Sequence, residues 1–499
     1  MAHSSTDPAG VSLRDVLPHA TWHGGSDSVV SSVSADSQAC QPGDAFVALS
    51  GRKHDGHDFI AEAIARGAQV VIAERPLTGL SVPVCQVRSS GEAYGRLCQA
   101  LVGYPSRRVK TIGVTGTNGK TTVTYLIASL LEHAGFRPGV LGTLGYCDRR
   151  EMHPASHTTP PAHTLATWLG RMRTNGCTHA VMEVSSHSLA QARVAGVEFD
   201  TVCVTNVRHD HLDYHGSLTG YKEAKRKIFK HLKPEGIAVL NADDPGSISY
   251  LADVAGPVLT VGLNEMAEVS ATIIEQRINE QTFLLTVGDD TVTVRSHLIG
   301  THNILNSLVA VAVGLGYGID LNTMARGLED VRVMPGRLER LECGQPYGVF
   351  VDYAHTPDAL SNCLDTLRPL TKGRLICVFG AGGDRDKLKR PLMGRVVDAK
   401  SDVAIVTSDN PRGESAGVIA NEILTGFRPH KKGKVILDRA AAIEWALSEA
   451  RPGDCVLIAG KGHENYQIIG NKRIPFDDRD VVRSALWSKP TQKMSPLAA

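Results

Sequence analysis

The stretch "TIGVTGTNGKTTVTYLI", Thr111 to Ile127, constrains the fold of this chain most strongly. An apolar strand runs through glycines into a segment whose apolar residues recur on one helical face: Val123, Leu126, Ile127, Leu130 and Leu131. The backbone N–H groups of such a loop and the N-terminus of its helix point at one spot and bind anions there. The stretch therefore predicts a phosphate-binding loop in an α/β fold with a parallel sheet.

This loop departs from the usual pattern of Gly, four residues and Gly-Lys-Ser/Thr, because Val114 stands at the first Gly position. Its glycines follow a three-residue spacing instead. The alternatives are a nucleotide site of another lineage and a purely structural turn between strand and helix. Gly-Lys-Thr-Thr at a helix start favours the nucleotide site, in which Lys120 supplies a cation and Thr121 or Thr122 a magnesium-binding hydroxyl.

Length and charge limit the class of protein. A chain of 499 residues is too long for one hydrophobic core and predicts roughly three domains. With 53 basic and 52 acidic residues the net charge is +1, so neither nucleic acid nor a membrane is an expected partner. The N-terminal residues lack an apolar signal core, and the longest apolar run is too short to span a bilayer. We expect a cytoplasmic enzyme that acts as a monomer.

Changes in sequence texture near Tyr104 and Met334 predict domains at residues 1–103, 104–334 and 335–499. Many short Val, Ile and Ala runs among 49 glycines are typical of α/β domains with parallel sheets. The ten cysteines occur singly and without the spacing of a zinc site. They are expected to be reduced and mostly buried.

Two further apolar runs end in polar residues that suit a metal ion. "THAVMEVSSH" delivers Glu183 to the end of a strand, and "TVCVTNVRHDHLDYHG" leads to His209, Asp210, His211, Asp213 and His215. Because the carboxyl ends of parallel strands meet at one edge, these side chains are expected beside the phosphate loop, where Mg²⁺ would need them. The alternative is a binuclear zinc hydrolase, which begins with His-x-His-x-Asp, but Tyr214 stands where that motif needs a His.

Eleven motifs occur in one order along the chain: "GVTGTNGKTT", "HTTP", "MEVSSH", "DHLDYHG", "YKEAK", "THNILNS", "MPGRLE", "VDYAHTPD", "GGDRDKLKRP", "SDNPRGE" and "AGKGHENYQ". Together they resemble the Mur ligases over nearly the whole chain after residue 30. The resemblance implies a small N-terminal α/β domain that binds a UDP-muramoyl substrate. It also implies a central ATP-binding domain with a P-loop-type parallel sheet and a C-terminal Rossmann-like α/β domain that binds an amino acid.

The resemblance further implies ATP-dependent amide-bond formation in peptidoglycan precursor synthesis. A carboxylate of UDP-N-acetylmuramoyl-L-alanyl-D-glutamate would attack the γ-phosphate of ATP, giving an acyl phosphate. The amine of meso-diaminopimelate would then displace phosphate. Phosphoryl transfer between two anions needs cations and oriented donors, which the loop and Mg²⁺ would supply.

Matching positions imply the residues around ATP and the metal. For ATP they are Gly116, Thr117, Asn118, Gly119, Lys120, Thr121 and Thr122, with Asn303 near the adenine and Arg337 and Asp352 near the ribose and phosphates. For Mg²⁺ they are Thr121, Glu183, His211 and Lys225, and the implied catalytic residues are Lys120, His211 and Lys225. The family carbamylates this last lysine with CO₂, which would turn a cation that repels the metal into an anion that binds it. On its own chemistry, "GYKEAKRKIFKHL" around Lys225 is typical of a solvated helix.

The UDP-muramoyl dipeptide has its own set of matching positions: Ala35, Ser37, Arg52, Lys53, His54, His157, Thr158, Thr159, Ser185, Gln191 and Arg193. Two positions depart from the pattern of the family. Gln38 replaces the usual Arg, and His157 stands where Asn is common. These departures affect individual contacts to the substrate and not the substrate class.

Three apolar runs in the last third, "RLICVFG", "DVAIVTS" and "DCVLIAG", each lead into a polar loop and predict one parallel sheet with an amino-acid pocket at its carboxyl edge. "GAGGDR" is not a dinucleotide motif, because Arg385 takes the third Gly position. The residues implied for diaminopimelate are Arg385, Asp409, Asn410, Pro411, Arg412, Gly460 and Glu464. Arg412 is expected to select meso-diaminopimelate over L-lysine, because a guanidinium binds a second carboxylate through two bonds.

Two other activities compete with this one. A folylpolyglutamate synthetase shares the loop and the modified lysine, but "DNPR" and the N-terminal block ending in "SGRKHDG" argue against it. A P-loop switch or motor ATPase would hydrolyse ATP without a small substrate. Such a protein would not need three domains with pockets of this kind.

Overall fold

The computed structural model describes residues 10–51, 54–208, 210–429 and 433–487. These residues form an α/β structure with three large sheets that follow one another along the chain. Among them, no helix is both long and apolar enough to cross a membrane. All ten cysteines lie in this part of the chain as free thiols, and eight of them are buried.

The N-terminal part builds the first sheet. Its elements are β1 (Val11–Ser12), α1 (Leu13–Val16), β2 (Thr21–His23), β3 (Val29–Val30), β4 (Val33–Ser34), β5 (Ala45–Val47), α2 (Ile60–Ala65), β6 (Val70–Ala73), β7 (Val84–Gln86) and α3 (Ser90–Leu101). The strand order is β2-β7-β6-β5-β4, in which only the β2–β7 pair of this described sheet is antiparallel. Strands β5 and β6 lie in the apolar runs "DAFVALSG" and "AQVVIAE", and both are buried.

The central part is the largest. It contains β8 (Lys110–Thr115), α4 (Lys120–His133), β9 (Pro138–Gly142), β10 (Gly145–Cys147), β11 (Met152–His153), α5 (Ala162–Thr174), β12 (His179–Glu183), α6 (Ser186–Ala190), β13 (Phe199–Val204), α7 (Leu212–His215), α8 (Leu218–Arg226), β14 (Leu232–Asn241), α9 (Pro245–Ile248), β15 (Val258–Gly262), β16 (Val269–Gln276), β17 (Gln281–Val287), β18 (Asp290–Ser296), α10 (Thr301–Gly316) and α11 (Leu321–Asp330). The strand order is β11-β10-β9-β12-β8-β13-β14-β15-β16-β17-β18.

Strand β8 stands where the order of this central sheet reverses. Its two neighbours, β12 and β13, both run parallel to it, and β9 and β14 lie beyond them on opposite sides. A crevice forms at the carboxyl end of such a strand, since the connections leave in opposite directions. The phosphate loop predicted from the sequence follows β8 and therefore lies in this crevice.

The C-terminal part forms the third sheet. It contains β19 (Glu339–Arg340), β20 (Gly348–Asp352), α12 (Pro357–Leu367), β21 (Leu375–Phe379), α13 (Lys389–Lys400), β22 (Val403–Val406), α14 (Ala416–Leu424), β23 (Lys434–Val435), α15 (Arg439–Glu449), β24 (Cys455–Ala459), β25 (Tyr466–Ile469), β26 (Lys472–Pro475) and α16 (Asp478–Trp487). The order is β19-β20-β24-β21-β22-β23, and the pairs from β20 to β23 are parallel. The predicted runs form β21, β22 and β24, so their three polar loops do share one edge.

Helix α4 shows how the sequence pattern becomes packing. All five apolar residues of its predicted face are at most 1% exposed. They join a core that also includes residues of α10 and of the strands β8 and β12. This packing fixes the start of α4, and with it the phosphate loop, against the central sheet.

Candidate active site

One cavity of about 490 Å³ opens at the carboxyl edges of the central and C-terminal sheets. Residues that follow β8, β12 and β13 line one side, and residues that follow β20 and β21 line the other. The sequence-predicted residues that line it are Thr117, Asn118, Gly119, Lys120, Thr121, Thr122, His157, Thr158, Thr159, Glu183, Ser185, Arg193, His211, Asn303, Arg337, Asp352 and Arg385. Residues that are far apart in the chain and were predicted to bind different substrates thus share one chamber.

The phosphate loop packs closely against two neighbouring side chains and forms a hydrogen bond with Asn206. A Cβ at Gly116 would collide with Thr205, and one at Gly119 would collide with Asn306, so both positions require glycine. The backbone N–H of Asn118 donates to Asn206 Oδ1 at 2.9 Å. Helix α4 begins directly after Gly119, which leaves its first N–H groups pointing toward the cavity.

Two lysines meet at one carbonyl of this loop. The Nζ atoms of Lys120 and Lys225 each donate to the Gly116 oxygen at 2.8 Å, and Lys120 also donates to the Thr117 oxygen at 2.8 Å. Lys225 is 1% exposed, which contradicts the solvated position that the charge pattern alone suggested. Burial lowers the pKa of both side chains, and the positive charge of Lys120 lowers that of Lys225 further, to well below its usual value.

Glu183 lies at the end of β12 and is 1% exposed. Its carboxylate accepts from the Thr143 N–H at 2.7 Å and from the Thr121 hydroxyl at 3.0 Å. His211 lines the same cavity, and burial lowers its pKa to about 4, so the imidazole is neutral and able to bind a metal.

The donor set fits Mg²⁺ better than zinc. A carboxylate (Glu183), a hydroxyl (Thr121) and an imidazole (His211) face one cavity. In the part of the chain that the structure describes, no group of three His, Cys, Asp or Glu side chains is placed to hold a metal. Mg²⁺ is usually held by one or two carboxylates, with waters and substrate phosphates completing its shell, whereas zinc needs three or four protein ligands. Lys225 does not line the cavity and lies behind the loop.

The other predicted nucleotide residues surround the loop. Arg337 lies over the Tyr353 ring at 4.6 Å, and among the described residues its Nε has no hydrogen-bond partner. Asp352 accepts from the N–H groups of Leu338 and Ala354, both at 2.6 Å, and burial raises its pKa. The Asn303 amide donates to the Ile299 oxygen at 2.8 Å and so also stabilises the start of α10.

Two hydrogen bonds join the phosphate loop to the C-terminal part of the chain. Asn118 Nδ2 donates to Asp358 Oδ2 at 2.8 Å, and Arg337 Nη2 donates to Thr121 Oγ1 at 3.2 Å. Burial raises the pKa of Asp358, which begins α12. The predicted nucleotide site therefore has residues from two sheets and not from the central one alone.

The residues predicted for the UDP-muramoyl substrate divide into two groups. Arg193 donates to the Thr159 oxygen at 2.8 Å and to Gln191 Oε1 at 2.9 Å, beside the cavity. Ala35, Ser37 and His54 lie apart from the cavity, in the N-terminal part. Ser37 is 6% exposed, and its hydroxyl donates to Glu62 at 2.8 Å. Its side chain therefore already has a hydrogen-bond partner within the protein. Arg52 and Lys53 lie outside the described residues.

The residues predicted to bind the amino-acid substrate lie together at the carboxyl edge of the third sheet. Asp409 and Asn410 follow β22, and Gly460 and Glu464 follow β24. Asn410 Nδ2 donates to Glu464 Oε2 at 2.9 Å. The second oxygen of Asp409, Oδ2, is buried and accepts no hydrogen bond from the described residues. This oxygen is the freer acceptor for an ammonium group.

Two arginines complete this edge. Arg412 has a left-handed backbone, with φ 52°, and its Nη1 donates to the Gly383 oxygen at 2.6 Å. It follows Pro411, and burial lowers its pKa, with the nearby charge of Arg385 as a further cause. Arg385 belongs to the loop after β21 and lines the large cavity. The carboxyl edge of the third sheet thus adjoins the large cavity through Arg385.

Sequence reasoning missed several residues of this edge. Lys461 is fully buried and donates to Glu464 at 3.0 Å and to Asn410 at 3.2 Å. Arg439 is 2% exposed and forms a double hydrogen bond with Asp478, at 2.7 Å for each contact. The motif "AGKGHENYQ" contains the signal for Lys461, because a lysine directly after a fully apolar strand has little access to water. Nothing local marks Arg439.

Comparison with known families gives three matches along the chain. The description "Mur ligase family, catalytic domain" matches residues 29–100, "Mur ligase middle domain" matches residues 114–314, and "Mur ligase, glutamate ligase domain" matches residues 336–462.

Individual proteins are similar over nearly the full length. The chain is 43% identical over 472 residues to a protein of Geobacillus kaustophilus named "UDP-N-acetylmuramoyl-L-alanyl-D-glutamate--2,6-diaminopimelate ligase", covering 93% of this chain and 96% of that one. A protein of the same name from Gloeobacter violaceus is 44% identical, with coverage of 92% and 94%. A solved structure of a ligase of this name is 34% identical in sequence and has a TM-score of 0.67. The match covers 96% of this chain and 99% of that one.

Proposed function

Because the chain belongs to the Mur ligase family, we propose that it adds meso-diaminopimelate to UDP-N-acetylmuramoyl-L-alanyl-D-glutamate in an ATP-dependent reaction. The products are ADP, phosphate and the UDP-muramoyl tripeptide, a precursor of peptidoglycan. The observation that carries this proposal is the single cavity lined by the phosphate loop, by the dipeptide-matching residues His157, Thr158, Thr159, Ser185 and Arg193, and by Arg385.

In the first step the D-glutamate side-chain carboxylate attacks the γ-phosphorus of ATP. The new bond joins a carboxylate oxygen to phosphorus, and the bond from phosphorus to the β-bridging oxygen breaks, releasing ADP. Lys120, the loop N–H groups and the N-terminus of α4 supply positive charge at this point. Arg337 contributes a further cation from the other sheet.

In the second step the amine of diaminopimelate attacks the acyl carbon. A C–N bond forms, the C–O bond to phosphate breaks, and the nitrogen loses a proton. Tight enclosure matters here, because water would hydrolyse an acyl phosphate. The cavity walls from two sheets serve to exclude it.

Thr121, Glu183 and His211 are proposed to hold Mg²⁺. When bound, the ion would neutralise phosphate charge. Its protein ligands are few, which agrees with a metal that reaches the site together with ATP.

Lys225 is proposed to carry a carbamate. Its amine is buried beside the Lys120 ammonium at a shared carbonyl, so two positive charges in that place repel each other. Reaction of the neutral amine with CO₂ forms an N–C bond, releases one proton and leaves an anion beside a cation. The carbamate would relieve the repulsion.

The choice of meso-diaminopimelate over L-lysine is proposed to rest on Arg412. Both substrates offer an attacking amine, but only diaminopimelate carries a second carboxylate. Burial and the nearby charge of Arg385 both lower the pKa of the Arg412 guanidinium, and Asp409 offers an oxygen for the distal ammonium. Lysine would leave a half-buried guanidinium without its anion, a loss of about 1.5 to 3 kcal/mol.

The test combines purified protein, ATP, Mg²⁺ and UDP-muramoyl dipeptide with a panel of diamino acids, and follows ADP release and product mass. Diaminopimelate-dependent ADP release with a tripeptide product is expected. Equal ADP release without the UDP-muramoyl dipeptide would favour a plain ATPase. A parallel reaction with a folate and glutamate in place of these substrates tests the alternative, and a folate product with one more glutamate would favour the folylpolyglutamate synthetase.

Boundaries at residues 1–103, 104–334 and 335–499 are part of the same proposal. They are supported by the placement of one large sheet in each range. A monomeric state and a cytoplasmic location stay predictions, which light scattering of the purified protein and fractionation of cells would test.

A further inference from the structure

Among the described residues, the Arg385 and Arg412 side chains of the amino-acid edge donate to backbone oxygens and to no carboxylate. Arg412 Nη1 donates to the Gly383 oxygen at 2.6 Å, and Arg385 Nη1 donates to the Asp384 oxygen at 3.1 Å. They sit on different loops, residues 380–388 after β21 and residues 407–415 after β22. The separation of the two guanidinium groups therefore depends on what holds these loops together.

The loops are in direct backbone contact. Gly383 N–H donates to the Asn410 oxygen at 2.9 Å, and a Cβ at Gly383 would collide with the Pro411 oxygen. Across the same junction, Gly413 N–H donates to Asp384 Oδ2 at 3.0 Å. No side chain fits between the loops at this point, so their spacing is set by hydrogen bonds.

A buried ion pair supports the junction from behind. Arg390, in the first turn of α13, is 0% exposed. Its guanidinium donates to both carboxylate oxygens of Glu414, at 2.9 and 3.0 Å, and to Glu422 at 2.6 Å. It also donates to the Gly382 oxygen at 3.1 Å. One side chain thus joins the first loop, the second loop and α14.

Glu414 completes the connection in the opposite direction. Its Oε1 accepts from the N–H of Asp384, the residue that precedes Arg385, at 2.6 Å. Hydrogen bonds from Arg390 hold the pKa of Glu414 at about 2, so the carboxylate is ionised whenever the protein is folded near neutral pH. An arginine is always protonated, and its planar fork fixes the direction of both bonds.

We propose that the Arg390–Glu414 pair is a positioning device that sets the spacing of Arg385 and Arg412, and thereby the preference for a diamino acid with a second carboxylate. The inference rests on the proposed function, because it concerns the pocket of the proposed amino-acid substrate. Neither Arg390 nor Glu414 touches the substrate in this account. A carboxylate held by two cations needs both at the right separation, and a displacement of about 1 Å is enough to lose one contact.

A second ion pair of the same sheet provides the matched control. Arg374 and Asp454 form hydrogen bonds of 2.7 and 3.1 Å, and the Asp454 side chain is 5% exposed. Arg374 precedes β21 and Asp454 precedes β24, so this pair lies at the amino edge, opposite the pocket. Removing either pair should destabilise the protein, but only the first should change substrate selection.

The experiment compares wild type, Glu414→Gln and Asp454→Asn. Glu414→Gln keeps the length of the side chain and removes its charge. We expect its KM for diaminopimelate to rise by about ten- to a hundredfold, its KM for ATP to stay within about twofold, and its preference for diaminopimelate over lysine to fall in parallel. Asp454→Asn should leave both KM values and the preference within about twofold of wild type. A KM for diaminopimelate that is unchanged in Glu414→Gln, or that rises equally in the two variants, overturns the proposal.

Hydrogen exchange followed by mass spectrometry tests the junction without any substrate. In Glu414→Gln the peptides that cover residues 380–388 and 407–415 should exchange at least about tenfold faster, because the Asp384 amide loses its charged acceptor and Arg390 no longer holds that acceptor in place, which also loosens Asp384 as the acceptor of the Gly413 amide. Unchanged exchange there would refute the positioning role. Wild-type protein without diaminopimelate-dependent turnover would instead remove the proposed function, and with it the selectivity claim.

Discussion

The phosphate loop and the amino-acid edge both follow parallel strands, but they hold their cations in opposite ways. At the phosphate loop, Lys120 and Lys225 donate to backbone carbonyls and share one of them. At the amino-acid edge, Arg390 and Arg439 are paired with carboxylates through double hydrogen bonds, and both are buried. Among the described residues, neither lysine donates to a carboxylate, whereas each of the two arginines is held by a carboxylate through two hydrogen bonds.

This difference matches two kinds of task. A lysine has a flexible stem and an amine whose pKa shifts on burial, so it is able to follow a transferring phosphoryl group or to react with CO₂. An arginine keeps its charge and presents a rigid fork. The two lysines of the phosphate loop thus suit a place where the proposed reaction changes charge, and Arg390 suits a place where the geometry of two loops is fixed. The following experiments test this difference between the two sites.

The largest effect is expected from Lys120→Ala. Loss of the cation at the phosphate loop should reduce ADP formation to less than about a tenth of wild type, because a charge-assisted contact contributes about 1.5 to 3 kcal/mol. Steady-state ADP release measures it. Lys110→Ala removes an exposed lysine at the other end of β8, where it pairs with Asp200 at 2.9 Å, and should retain full turnover. Equal losses in both variants would contradict a role in phosphoryl transfer.

Lys225→Ala is expected to be nearly inactive and to regain part of its turnover with added formate or acetate, since a small carboxylate replaces the carbamate. ADP release with and without the added anion is the measurement. Lys227→Ala, at an exposed position two residues along, serves as the control and should respond to neither change. Fully active wild-type protein that carries a free Lys225 amine in bicarbonate buffer would disprove the carbamate.

Arg412→Ala tests the recognition side of the contrast. The KM for diaminopimelate should rise about ten- to a hundredfold, with little change in the KM for ATP, because one charged contact to the second carboxylate is lost. Initial-rate kinetics with each substrate varied in turn give both values. Arg395→Ala, at an exposed position of α13, should leave both unchanged. An unaltered KM for diaminopimelate in Arg412→Ala would overturn the assignment of the pocket.

The smallest effect concerns stability and pH. The folded-state pKa of Glu414 is about 2, below its usual value of 4.5, so its contribution to stability is present above pH 4.5 and is lost as the pH falls toward 2. Wild type should exceed Glu414→Gln in unfolding free energy by about 1.5 to 3 kcal/mol at neutral pH, and the gap should close in that window. Chemical denaturation at several pH values measures it, with Glu444→Gln at an exposed site of α15 as the control. A gap that is independent of pH would argue against an ionised pair.

The sequence was sufficient where function follows from local pattern and parallel topology. Apolar periodicity placed β8 and α4, and the carboxyl-edge rule placed Glu183 beside the loop. The sequence was insufficient to predict contacts between side chains and partners that are far apart in the chain. Burial of Lys225 contradicts its polar helix pattern, and its contact with Gly116 joins residues that are 109 positions apart. Such contacts depend on how helices pack, which short-range periodicity does not encode.

The hydrogen bonds that link the phosphate loop to the C-terminal part also bear on recombination between related genes. A crossover near Met334 would take Asn118 and Thr121 from one parent and Asp358 and Arg337 from the other. A chimaeric enzyme joined there would receive one half of its proposed nucleotide site from each parent. The junction near Met334 looks like an ordinary linker in the sequence. It is nevertheless a poor crossover point unless the two parents carry the same residues at these two hydrogen-bonded pairs.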